Sequence, residues 1–132
     1  MRVTELMQPD VKTIGPDATI ADLLVSLADA RVSGVPVVDR AGRMLGVISN
    51  SDVIALEAEA EERGHATLLE ETTVRDVMTP RALTISPDAD VRDAARQMLY
   101  ADVHRLFVAS EGALVGVIST TDLTRAIAIG RV

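Results

Sequence analysis

The sequence predicts an α/β fold with two similar halves, and three observations carry that prediction. The word GVISNSD (46–52) returns as GVISTTD (116–122), with five of seven letters unchanged. A shift of 71 residues superposes the first half on the second, with twelve identities between Val3 and Val38. Each half also reads, in the same order, as a helical stripe followed by two β-branched runs.

The elements follow in chain order. VTELMQP (3–9) and VRDVMTP (74–80) open the copies, and the Met7-Gln8-Pro9 and Met78-Thr79-Pro80 turns read as structural ends of the entering segments. Pro16 and Pro87 then close short extended stretches, VKTI and ALTI. A helix follows in each half. Ile20, Leu23, Leu24 and Leu27 fall at i, i+3, i+4 and i+7, as do Val91, Ala94, Ala95 and Met98. Thr19 and Asp90 stand where an N-cap belongs. VPVVD and LFVAS come next, then a glycine turn, then RMLGVIS and ALVGVIS, which together read as a hairpin. A second helix starts inside the repeated word. Its first copy continues into an acidic run (Glu57, Glu59, Glu61, Glu62), read as a solvated face, and stops near Gly64.

Each unit is thus strand–helix–strand–strand–helix. The copies cover 1–64 and 74–132, bridged by 65–73, whose conformation is left open. About 55 residues cannot easily close a core alone, so the two copies are expected to pack sheet to sheet about a pseudo-twofold axis.

Composition excludes several function classes. The chain has 132 residues, 48% of them hydrophobic, but only one Phe, one Tyr and no Trp. Its core must be aliphatic, with little aromatic surface for stacking on single-stranded bases. A net charge of −7 argues against nucleic acid and against an anionic membrane surface. With no Cys there is no disulfide, thiolate nucleophile or Cys-based zinc site, and no metal site is expected. The start, MRVTELMQPD, is not read as a signal peptide, and no run approaches a membrane span. A cytoplasmic location is the expectation. Only two His are present, and no nucleophile elbow, P-loop or HExxH motif occurs, so the chain reads as a non-enzyme.

Ser49 and Asp52, like Ser119 and Asp122, match the capping box, in which hydroxyl and carboxylate each take a free amide of the helix start. The helix start also offers amides to a phosphate, and a carboxylate there suits two ribose hydroxyls. Both roles stand open on the residues alone.

VRDVMTP, TISPDA, HRLFV (104–108), SGVPVVD (33–39) and the two G-x-x-S-x-x-D words together resemble a tandem pair of CBS motifs, the Bateman module. The resemblance covers nearly the whole chain. It implies a regulatory module that binds an adenosine ligand (AMP, ADP, ATP or S-adenosylmethionine) in clefts between the two motifs. It also implies no cofactor and a possible regulated enzyme or transporter partner. It assigns Asp52 and Asp122 to ribose and Ser49 and Ser119 to the phosphate side. Thr13 and Ile14, with Thr84 and Ile85, would read adenine, and Val35, Pro36, Leu106 and Phe107 would pack on it. His104 and Arg105 would meet phosphate, with Lys12 and Arg81 as further basic neighbours. The copies differ here, because Ser33 and Gly34 stand where His104 and Arg105 do, and Phe107 replaces Pro36. That difference supports an alternative reading, a protein-interaction or dimerisation module with vestigial clefts. A homodimer is expected from DLTRAIAIG (122–130), where Leu123, Ala126 and Ile127 form a stripe with Ile129 at its end.

Overall fold

The computed structural model describes residues 1–59, 65–80 and 82–131. Its element order is α1 (Ile20–Ala30), β1 (Gly34–Val38), β2 (Met44–Ser49), α2 (Asn50–Glu59), α3 (His65–Glu71), α4 (Val74–Val77), β3 (Thr84–Ile85), α5 (Val91–Ala101), β4 (Arg105–Ser110), β5 (Ala113–Ser119) and α6 (Thr120–Ala128). The mixed α/β architecture and the doubled unit both match the sequence expectation. Glu61, Glu62, Gly64 and Arg81 lie outside the described residues.

Two compact units are present, one made of Lys12–Ala82, the other of Met1–Val11 with Leu83–Val132. Each hairpin is therefore completed by the entering segment of the other sequence copy. Val74 sits in the first hairpin's core with Ile20, Leu23, Val37 and Ile48. Val3 sits in the second core with Val91, Met98, Leu106 and Ile118. Both valines are fully buried.

The helices form where sequence placed their stripes. Thr19 caps α1 in a full capping box with Asp22, and the Asp90 carboxylate accepts from the Arg92 amide at 2.8 Å at the start of α5. Buried Ile20, Leu23 and Leu27 line the inner face of α1, as Val91, Ala94 and Met98 do for α5. The bridging segment contains α3, and the Thr72 carbonyl just beyond it accepts from the Ile20 amide at 3.0 Å.

Each hairpin is flanked on both sides, by β3 at one edge and by single bridges at the other three. In one unit β3 pairs parallel to β4, β4 antiparallel to β5, and Gln8 bridges Val117. In the other, Ile14 bridges Val37, β1 pairs with β2, and Thr79 bridges Val47. The strand expected at VKTI is reduced to that single bridge, while its counterpart β3 pairs over two residues. Pro36 is the reason: it has no amide hydrogen to donate at the position where Phe107 does.

The glycine of the repeated word admits the entering segment. A Cβ on Gly46 would collide with the Thr79 carbonyl oxygen, and one on Gly116 would stand 2.8 Å from Met7 Sδ and 2.9 Å from the Gln8 carbonyl oxygen. Both glycines are therefore set by close backbone approach.

Candidate functional site

In each unit a strand end, a helix start and an outer strand converge. In β4 and β5, Leu106, Val108 and Ile118 face the core. The opposite face carries one row across the sheet, Thr84–Phe107–Val117–Gln8, with Arg105 directly opposite Ser119 at its end. The equivalent row in the other unit runs from Thr13, next to Pro36, through Val47 to Thr79, with Gly34 opposite Ser49. Helix starts are tied to the strands identically: Thr120 donates its amide to the His104 carbonyl at 2.9 Å, and Asn50 to the Ser33 carbonyl at 2.8 Å.

The candidate residues divide by burial. Ile14, Val35, Ile85 and Leu106 are core side chains, and of these Ile14 and Ile85 lie at a sheet edge, where what they present is backbone. Pro36 is fully buried and Phe107 half-buried. Thr13, Ser49 and Ser119 are half-buried, whereas Thr84, His104, Arg105 and Lys12 are exposed.

The two aspartates are held differently. The Ser119 amide donates to Asp122 Oδ2 at 2.8 Å, its hydroxyl donates to the same oxygen at 3.0 Å, and the Asp122 amide donates to Ser119 Oγ at 3.2 Å. That is the complete capping box. Asp122 Oδ1 accepts from Gln8 Nε2 at 3.2 Å and lies 3.8 Å from Arg125 Nη1. Asp122 is only 6% exposed, and a buried carboxylate needs such partners. In the other copy, Asp52 Oδ2 accepts from the Ser49 amide at 2.9 Å and hydroxyl at 3.2 Å. Among the described residues no hydrogen bond reaches Asp52 Oδ1, and none runs from the Asp52 amide to Ser49 Oγ.

Gln8 and Arg125 are the residues that sequence reasoning passed over. The signal was divergence between copies, since Thr79 and Ala55 occupy their places. Asp122 and Arg125 also border a concavity of about 180 Å³ with Glu5, Leu6, Ala126 and Ile129. That is below the roughly 300–1,000 Å³ of small-molecule sites. A wider concavity of about 660 Å³ lies at the far end of the first hairpin, rimmed by Arg40 and Arg75, and does not include Asp52.

A family model described as CBS domain matches the chain twice, over 3–59 and 74–129. The chain belongs to the CBS domain family and carries two CBS motifs. It is 29% identical over 125 residues to the inosine-5'-monophosphate dehydrogenase of Methanocaldococcus jannaschii, covering 94% of this chain but 23% of that relative. Among solved structures, it superposes on CBSX2 in complex with AMP with a TM-score of 0.81 and 28% identity, covering 97% of this chain and 96% of that one. It superposes on the CBS-domain containing protein ATU1752 from Agrobacterium tumefaciens with a TM-score of 0.74 and 26% identity, covering 96% and 92%. Among the described residues no helix is long and apolar enough to cross a membrane.

Proposed function

We propose that this chain is a non-catalytic regulatory module that senses an adenosine ligand of the AMP, ADP, ATP or S-adenosylmethionine class. The observation that carries the reading is its near-complete overlap with CBSX2, a structure solved with AMP. The local chemistry supports it. A carboxylate of the repeated word, Asp52 or Asp122, takes the ribose hydroxyls, and Ser49 or Ser119 lies toward phosphate. Backbone groups of Thr13-Ile14 or Thr84-Ile85 read the adenine edge, and the half-buried Phe107 is the side chain left to pack on it, since Val35, Pro36 and Leu106 are buried. His104 and Arg105 supply positive charge that a phosphate needs and an uncharged nucleoside does not. The output passes to a second copy of the chain or to a regulated enzyme or transporter.

A thermal-shift panel of AMP, ADP, ATP, S-adenosylmethionine and NADH tests this. A ligand at 100 times its Kd raises stability by about 2.7 kcal/mol, an easily read shift in Tm. A flat response to every adenosine compound would overturn the reading. One observation would then favour an interaction module with vestigial clefts, namely the exposed apolar side chains Leu99, Tyr100, Ile127 and Ile129.

A further inference from the structure

We infer that the two aspartates of the repeated word are not interchangeable: Asp52 holds the ribose, and Gln8 with Arg125 keeps Asp122 from doing so. This rests on the adenosine reading above and names which half carries it.

A carboxylate that caps a helix with one oxygen has the other left for a ligand. Asp52 is in that condition, its Oδ2 on Ser49 and its Oδ1 reached by no hydrogen bond among the described residues. Asp122 is not. Its Oδ1 already accepts from Gln8 Nε2 and faces the Arg125 guanidinium, and its side chain is nearly buried. Both partners are additions to the repeat. Gln8 extends the same outer strand position that Thr79 occupies, bonded to Val117 as Thr79 is to Val47. Arg125 stands one turn along α6 where α2 has Ala55. A ribose hydroxyl approaching Asp122 must displace a charge-assisted contact that it cannot improve on. Contacts of that kind lower affinity by about 10- to 100-fold when lost. Gln8 and Arg125 are thus positioning residues that set which site fills.

His104 and Arg105 put positive charge at the strand end opposite Ser119, but phosphate attraction does not free the ribose-facing oxygen.

Calorimetric titration of AMP into the full chain tests the assignment through stoichiometry, a readout that a purely structural role for these residues would not move. The wild-type chain should bind one AMP. Gln8→Thr with Arg125→Ala, both at exposed positions, should add a second AMP per chain. The converse graft, Thr79→Gln with Ala55→Arg, should weaken the wild-type site about 10- to 100-fold. Asp52→Asn should weaken it similarly, and the graft covers the case in which that variant fails to fold. Two equal sites in the wild type, or a single site after the Gln8 and Arg125 changes, would overturn the assignment while leaving the adenosine reading intact. Absence of binding of AMP, ADP, ATP and S-adenosylmethionine in every chain, wild type included, would remove both together.

Discussion

Gly46 and Gly116 occupy the same letter of the repeated word, yet their surroundings yield to different degrees. A methyl on Gly116 stands 2.8 Å from Met7 Sδ, on a long unbranched side chain with other rotamers open to it, and 2.9 Å from the Gln8 carbonyl oxygen, a longer backbone contact than the one at Gly46. A methyl on Gly46 meets the Thr79 carbonyl oxygen and the Pro80 Cα, which are backbone. The Thr79 amide and carbonyl are both bonded to Val47, at 2.8 and 2.9 Å, so they cannot withdraw without breaking that pair. Overpacking of this kind costs about 1–3 kcal/mol. Gly46→Ala should fall at the upper end or beyond, and Gly116→Ala at the lower end, as read from urea midpoints of the two variants. Equal losses would mean that the outer strands are held less firmly than their hydrogen bonds indicate.

Two predictions belong to the helices. Asp90 caps α5, and the Arg92 amide bonded to its carboxylate holds its pKa below the ordinary 3.8. A lowered folded pKa gives stability that is fully present above the unfolded value and is lost as pH falls through the folded one. Asp90→Asn keeps an acceptor at the cap but does not titrate there. It should lower stability at neutral pH and flatten the acid limb, so that the two melting profiles converge below about pH 4. Arg31 and Asp102 end α1 and α5 in the left-handed conformation, both at φ 54°. Glycine adopts that conformation without the Cβ penalty of roughly 1–2 kcal/mol, although its freer unfolded chain returns part of it. Arg31→Gly should therefore raise stability by about 0.5–1 kcal/mol in denaturant melts. These helices were legible because their stripes and caps are local. Neither α3 nor α4 was, since tertiary bonds order the chain around them: Ile20 donates to the Thr72 carbonyl, Val74 to Ala18 and Arg75 to Pro16. The crossing of entering segments between units was hidden for a different reason. Val3 and Val74, Met7 and Met78, Pro9 and Pro80 are identical, so residue type cannot tell one hairpin from the other. At the site, the repeat exposed Asp52 and Asp122 directly. The Gln8 contact to Asp122 spans 114 residues and left no local pattern.

At the scale of the molecule, the remaining question is what covers the outer helices. The stripe read in α6 splits in the structure. Ala126 is buried and Leu123 half-buried against the second core, which leaves Ile127 (63%) and Ile129 (64%) exposed. The neighbouring α5 adds Leu99 (83%) and Tyr100 (96%), and Leu83 beside it is half exposed. Large apolar side chains on adjoining helices are more than the scattered exposure of an ordinary surface. Burying each fully would contribute about 1.5–3 kcal/mol, so even partial coverage on two protomers outweighs much of the association cost. A second copy is the expected partner, because a twofold interface sets the same patch against itself. The chain should therefore run as a homodimer in light scattering at micromolar concentration. Ile127→Glu with Tyr100→Glu places charge on exposed positions of both helices and touches no buried residue. It should give a monomer with an unchanged circular dichroism spectrum. A monomeric wild type, with or without AMP, would overturn the dimer. A dimer that survives both glutamates would move the interface off α5 and α6.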